Sequence, residues 1–212
     1  MQLGKKISIQ QSVIEDTVGN ITVSGFGWYD SKYTNDVKKR YLLEINIEKI
    51  NDKNVTWKNC LNVIMFNPSE YGKERKDLFV DKTITNVIKI ASDCKIANDC
   101  KKYNLIKVYN LFPKISAKPN ITIDDKDKGN IDSIVKIPEN SDILLAWGAI
   151  LRDRQWINKI KNEICEKLNN RQLLVLDDKL TYPKHPGRMS ISTIRNKYGD
   201  KQKVELKPYK FK

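Results

Sequence analysis

The chain has 212 residues, which is long enough for one globular domain. Hydrophobic residues make up 40% of it and charged residues 31%, a composition that excludes a disordered chain. No apolar run is long enough to span a bilayer and the N-terminus resembles no secretory signal, so we expect a soluble cytoplasmic protein. The 39 basic and 26 acidic residues give a net charge of +13, which attracts polyanions, nucleic acid first.

The first 36 residues are predicted to form a β-rich appendage. A short β-like piece at 21–24 lies among Gly19, Gly25 and Gly27, a pattern typical of turns or of a hairpin at the edge of a sheet. The regular pattern begins after this segment, so we place the start of an α/β core domain at residue 37.

Strand and helix patterns alternate along the core domain, residues 37–196. The apolar runs at 61–66 and 142–147 are typical of buried parallel strands. In chain order we predict strand 41–48, strand 61–66, helix 83–96, strand 104–110, loop 113–130, a helical turn near 131–137, strand 142–147, helix 152–169 and strand 172–176. This alternation predicts a three-layer α/β/α sandwich with a mostly parallel central sheet of about four strands.

Residues 197–212 are predicted to be a basic C-terminal tail. Residues 181–212 hold nine Lys or Arg against Asp200 and Glu205, a local excess of +7. Clustering of this kind favours a face that binds nucleic acid. The alternative is compositional drift, because the chain is also rich in Asn and Ile and Lys rises with them.

The cysteines indicate neither a disulfide framework nor a metal site. Cys60, Cys94, Cys100 and Cys165 form no Cys-x-x-Cys pair, and the chain has a single histidine. We expect four reduced thiols, mostly buried, and neither a metal nor another cofactor.

Four short polar motifs follow the predicted strands, and in open α/β sheets the functional residues lie just beyond the carboxyl ends of the strands. We therefore expect these motifs to converge on one edge of the sheet. They are Asn67-Pro68-Ser69, Asn110-Leu111-Phe112-Pro113, Trp147-Gly148 and His185-Pro186-Gly187.

In this order, over about residues 40–195, the motifs resemble a widespread bacterial and phage family that carries a domain of unknown function. More distantly they are similar to the uracil-DNA glycosylase superfamily. That resemblance implies a uracil-DNA-glycosylase-like fold and a DNA-repair activity that cleaves the N-glycosidic bond of a damaged or modified base. The implied partner is DNA, another nucleic acid or a free nucleotide.

Cleavage of an N-glycosidic bond assigns a role to each candidate residue. His185 is expected to donate to the base oxygen, Asn67 to position water, and Asp81 to cap the helix at 83–96 or serve as a general base. Further candidates for the base site are Asn110, Ser69, Tyr71 and Phe79, the two rings by stacking on the base. The candidates for the nucleic-acid backbone are Lys184, Arg188 and Arg195.

Two features favour binding without catalysis. The amide of Asn67 cannot take a proton from water as a carboxylate does, and Gly187 stands where the glycosylase loop has serine. The first alternative is therefore a non-catalytic sensor of a nucleotide or of modified DNA. A structural or interaction protein whose charge is compositional is the second alternative.

Overall fold

A computed structural model describes residues 4–16, 20–30, 38–49, 59–69, 81–96, 99–116, 127–149, 155–180, 182–199 and 203–209. The strands in these residues are β1 Lys5–Ile14, β2 Ile21–Tyr29, β3 Arg40–Lys49, β4 Cys60–Met65, β5 Cys94–Ile96, β6 Asp99–Lys101, β7 Leu105–Asn110, β8 Asp142–Leu145, β9 Gln172–Val175 and β10 Val204–Pro208. The helices are α1 Lys82–Ser92, α2 Lys128–Val135, α3 Gln155–Lys167 and α4 Ile191–Tyr198, with a short 3₁₀ helix at Pro186–Arg188.

The strands form one mixed sheet in the order β1-β2-β3-β7-β4-β8-β9-β10-β5-β6. The neighbours β7, β4, β8 and β9 run parallel to one another. The hairpin of β1 and β2 extends the sheet on one side through β3, which is antiparallel to β7. On the other side β10 pairs antiparallel with β9 and parallel with β5.

The prediction of a three-layer sandwich around about four mostly parallel strands, similar to uracil-DNA glycosylase, is wrong. The sheet has ten strands among the described residues, and antiparallel pairing predominates outside its centre. The segments predicted as an appendage and a tail contribute β1, β2 and β10 to the same sheet. These strands carry Ser, Gly, Lys and Glu between their apolar residues, so they lack the continuous apolar run that marked the central strands.

Side chains of β4 pack on both faces of the sheet. Val63 and Met65 belong to the apolar cluster that contains α1 and Ile194 of α4. Ile64 belongs to the opposite cluster, which contains α2 and α3. Because successive side chains in a strand point to opposite faces, an almost wholly apolar strand is buried between two layers of helix.

The two strands that follow in the parallel part of the sheet, β7 and β8, lie on opposite sides of β4. The chain runs from β4 through α1 to β7 on one side, and from β7 through α2 to β8 on the other side of β4. The two helices lie on opposite faces. Such a reversal opens a crevice outside the carboxyl ends of the two strands, here β4 and β8.

The first residue of β3 lies at the same edge of the sheet. Because β3 is antiparallel to β7, with Leu42 opposite Tyr109, the start of β3 lies beside the end of β7. The amide N–H of Arg40 donates to the carbonyl oxygen of Pro113 at 2.8 Å. Arg40 therefore reaches the edge at which the parallel strands end.

All four cysteines are free thiols, of which Cys94 and Cys165 are buried and Cys100 is exposed. Burial raises the pKa of Cys94 and of Cys165 to about 12, so these two thiols remain protonated and unreactive near neutral pH. Within the described ranges, no helix is long and apolar enough to cross a membrane.

Candidate functional site

A cavity of about 400 Å³ opens at the carboxyl ends of β4 and β8. This volume lies within the usual range for small-molecule sites, roughly 300–1,000 Å³. Met65 and Phe66 contribute one wall, and Trp147 and Gly148 contribute the adjacent wall. The polar and charged residues that line it are Arg40, Asn67, Ser69, Asp81, Thr83, Ser116, Tyr182, Lys184, His185 and Arg188.

The cavity carries an excess of positive charge. Three cationic side chains line it, those of Arg40, Lys184 and Arg188, whereas Asp81 is the single carboxylate among the described lining residues. Three positive charges and one negative charge leave an excess of +2 while His185 is neutral. A concave surface with low-dielectric walls concentrates such a field and attracts anionic ligands.

His185 is held as a neutral donor. Its Nδ1 accepts a hydrogen bond from the backbone N–H of Gly187 at 3.1 Å, so the ring proton resides on Nε2. Burial and, after it, the charge of Arg188 lower the pKa of His185 to about 4, although Asp81 acts in the opposite direction. Near neutral pH the residue therefore offers a single N–H donor without a positive charge.

Two glycines fix the position of the His185 loop. Gly148 has a φ of +80°, and its backbone N–H donates to the carbonyl oxygen of Pro183 at 3.0 Å. A Cβ at position 148 would lie 3.1 Å from the Cβ of His185. A Cβ at position 187 would overlap the hydroxyl oxygen of Thr83. This overlap explains why serine does not fit at position 187 in this chain.

We expect Gly148→Ala to destabilise the protein by about 1–2 kcal/mol, because a residue with a Cβ is strained at positive φ. The added methyl group also crowds His185 and is expected to change the NMR chemical shift of the imidazole, the chain's only histidine ring. Urea unfolding and a proton–carbon correlation spectrum measure the two effects. Unchanged stability together with an unchanged imidazole signal would contradict this description of the loop.

Asn67 contributes a fixed acceptor. Its Nδ2 donates to the backbone oxygens of Pro68 and Ser116, at 3.0 and 2.9 Å, so these two carbonyls set the orientation of the amide. No donor among the described residues reaches Oδ1, which remains available to a ligand or to water. The pair Asn67-Pro68 therefore serves both as a turn and as part of the cavity wall.

Asp81 caps the N-terminus of α1, which confirms one of the two roles predicted for it. Its Oδ1 accepts from the backbone N–H groups of Thr83 and Ile84, at 2.7 and 3.4 Å. The hydroxyl of Ser69 donates to its Oδ2. The carboxylate is buried and lines the cavity, so the general-base role stays a prediction.

Arg40 was not identified from the sequence. Its side chain is only 2% exposed, and its Nε and Nη1 have no hydrogen-bond acceptor within the described part of the chain. A buried charge left without a partner typically costs about 3–5 kcal/mol. In the sequence it follows Lys38 and Lys39, and no motif distinguishes it from the other basic residues of the chain.

Trp147 combines a core position with a place in the cavity wall. Its side chain is fully buried, which is the core role expected from the sequence. The indole Nε1–H finds no acceptor in the described ranges. An indole N–H usually finds a hydrogen-bond partner when it is buried, so this donor is unsatisfied among the described residues.

The predicted site residues do not all meet. Asn67, Ser69, Asp81, Lys184, Arg188 and His185 line the cavity. Asn110 is fully buried but is not part of the lining, and neither polar atom of its side chain has a partner within the described residues. Tyr71 and Phe79 lie outside the described residues.

The assignment of Arg195 to a nucleic-acid backbone requires correction. The guanidinium of Arg195 forms two hydrogen bonds with the carboxylate of Asp16, at 3.0 and 2.8 Å. Only 3% of the arginine side chain is exposed and none of the aspartate side chain. Arg195 is therefore part of a buried ion pair and is not presented to a phosphate on the surface.

The chain matches the family described as "Protein of unknown function (DUF1643)" over residues 40–187. It belongs to this family. The matched span begins at Arg40 and ends at Gly187, so it includes His185 and every described lining residue except Arg188, while β1, β2 and β10 lie outside it. The expected membership of a family with a domain of unknown function is confirmed, and the distant resemblance to uracil-DNA glycosylases stays a prediction. Comparison with curated proteins and with solved structures finds no match.

Proposed function

We propose that this DUF1643 protein binds a nucleobase in the cavity beside His185, within either a free nucleotide or a nucleic acid. The observation that carries the proposal is a neutral imidazole, held with its proton on Nε2, in the wall of a positively charged cavity. A neutral N–H donor suits a carbonyl oxygen of a base, because that oxygen carries no full negative charge that a cation would have to neutralise.

Other groups in the wall are complementary to a base. Oδ1 of Asn67 can accept from a ring N–H, and Nε2–H of His185 supplies the donor. Phe66 and Trp147 add two aromatic residues to the lining, which favours a flat heterocycle. The edge of a pyrimidine carries both donors and acceptors, so it needs both kinds of group from the wall.

The binding proposal is tested by titration calorimetry with deoxyuridine and deoxyuridine monophosphate. We expect His185→Ala to weaken binding at least tenfold, since one lost hydrogen bond of about 1.4 kcal/mol corresponds to a factor of ten. His185→Gln keeps an N–H donor and should lose less. Lys136→Ala, on an exposed residue outside the cavity lining, serves as the control and should bind like the wild type. Equal affinities for the wild type and His185→Ala would contradict the proposal.

A second candidate function is hydrolysis of the N-glycosidic bond. It is favoured by Asp81, a buried carboxylate that lines the same cavity as His185. In this reaction water adds to the anomeric carbon, its proton passes to Asp81, and the base leaves as an anion that His185 stabilises by hydrogen bonding. Asn67 orients the water through its Oδ1, which no donor among the described residues reaches.

Release of free uracil from uracil-containing single and double strands, and from deoxyuridine monophosphate, tests this candidate. Asp81→Asn is the informative variant, because asparagine also caps helices well but cannot take a proton. We expect at least a hundredfold loss of the rate of base release with unchanged binding. If the wild-type protein binds these ligands but releases no base from any of them, the protein is a non-catalytic binder.

A further inference from the structure

Arg40 is a buried cation in the cavity wall, and no carboxylate among the described residues pairs with it. Its Nε and Nη1 lack acceptors among the described residues, and the side chain is 2% exposed. Asp81, the carboxylate of the described lining, already accepts from Ser69, Thr83 and Ile84. Among the described residues no carboxylate is therefore left for the guanidinium, which leaves it available to an anionic ligand.

The comparison with Arg195 shows how this fold neutralises a guanidinium that serves stability alone. Arg195 is 3% exposed, and the carboxylate of Asp16 binds two of its nitrogens. Arg40 is buried to the same extent but has no such partner in the part of the chain that the structure describes, and it lines the cavity. The difference points to a binding role for Arg40.

We propose that Arg40 binds the phosphate of a phosphomonoester, so that the ligand of the cavity is a free nucleoside monophosphate; the nucleoside part rests on the proposed function. Guanidinium groups match the geometry and charge of phosphate oxygens. Because the side chain of Arg40 is almost wholly buried, the phosphate has to enter the cavity to reach it. A phosphate within a strand carries a nucleoside on each side, whereas a monoester carries one, which suits a cavity of about 400 Å³.

Titration calorimetry and thermal unfolding with four probes test the proposal: inorganic phosphate, deoxyuridine, deoxyuridine monophosphate and a short single-stranded oligodeoxyuridine. We expect the wild type to bind the monophosphate at least tenfold more tightly than the nucleoside. Arg40→Met should abolish this difference and the stabilisation by inorganic phosphate. Arg40→Lys, which keeps the charge but not the planar fork, should retain part of both.

The melting temperature of the unliganded protein distinguishes a binding role of Arg40 from a structural role, because loss of a structural residue would lower it. Arg40→Met removes a buried charge that has no partner among the described residues, and it is expected to raise the melting temperature of the unliganded protein. Lys136→Met serves as the matched control for loss of one positive charge outside the cavity lining, and it should keep the preference for the monophosphate.

The outcomes separate this inference from the function on which it rests. Equal binding of the monophosphate by the wild type and Arg40→Met, or a lower melting temperature for unliganded Arg40→Met, would overturn the inference. Tighter, Arg40-dependent binding of the oligonucleotide than of the monophosphate would overturn the assignment to a free nucleotide. Stabilisation by phosphate through Arg40, with no added affinity from the nucleoside, would support the phosphate site and overturn the nucleobase function.

Discussion

Replacing Arg195 with methionine is expected to lower the free energy of unfolding by about 3–5 kcal/mol, the usual cost of breaking a buried ion pair. The cost arises because the carboxylate of Asp16, none of which is exposed, keeps its charge but loses a guanidinium at 2.8 Å. The two residues lie 179 positions apart, so the pair joins α4 to the segment that follows β1. Urea unfolding of the variant and the wild type measures the loss.

An exposed ion pair provides the matched comparison. Lys167 and Glu163 form an i,i+4 pair on α3 with both side chains largely exposed, and Lys167→Met should cost only about 0.3–0.5 kcal/mol. The double variant Arg195→Met/Asp16→Asn removes both charges and should recover part of the loss. If Arg195→Met costs no more than Lys167→Met, the pair with Asp16 contributes little to stability.

Acidification from pH 6.5 to pH 4 is expected to cost the wild type about 3 kcal/mol more stability than His185→Gln. The pKa of His185 is about 4 in the folded protein against 6.5 for the free side chain. Between these values the unfolded chain binds a proton that the folded chain does not, so stability falls as the pH falls. The difference of about 2.5 pKa units corresponds to about 3 kcal/mol at 1.36 kcal/mol per unit.

The single histidine makes this measurement direct. Carboxyl groups that titrate in the same range contribute equally to the wild type and to His185→Gln, so the difference between their urea-unfolding curves reports His185. NMR of the only imidazole in the chain gives the pKa of the folded state independently. A titration midpoint near 6.5, or parallel pH dependences for the two proteins, would show that the ring is solvated and not held in the cavity wall.

Parts of the fold were predictable because their signal is local. The apolar runs at 61–66 and 142–147 predicted strands that the structure has as β4, Cys60–Met65, and β8, Asp142–Leu145. Alternating apolar residues predicted β3 in the same way. These strands are buried on both faces or on one, and that burial dictates the spacing of their apolar residues.

The extent and mixed direction of the sheet were not predictable from such patterns. Strand β10 has the sequence Val-Glu-Leu-Lys-Pro and lies in a region dominated by lysine, yet it pairs with both β9 and β5. Its place depends on which strand edges are left open by the rest of the fold. Which strands β10 pairs with depends on the assembled sheet, and the sequence of a short charged segment does not predict those partners.

The residues of the candidate site were likewise predictable only in part. The motifs at Asn67 and His185 were found because polar residues directly after a buried strand, or on a strand-exit loop, stand out in the sequence, and both residues line the cavity. Asn110 satisfies the same criterion but is buried outside the lining. The end of a strand specifies the edge of the sheet at which a residue lies, but packing decides whether its side chain faces the cavity.

The sequence by itself determined the central strands and the edge at which the polar motifs gather, because apolar spacing and strand ends are local properties of the chain. Only the tertiary structure decided the roles of the two buried arginines. Arg195 meets a carboxylate 179 residues away, whereas Arg40 enters the cavity wall from the start of an antiparallel strand and meets none among the described residues. The energy of a buried charge depends on its partners in space, and those are set by how the strands are ordered.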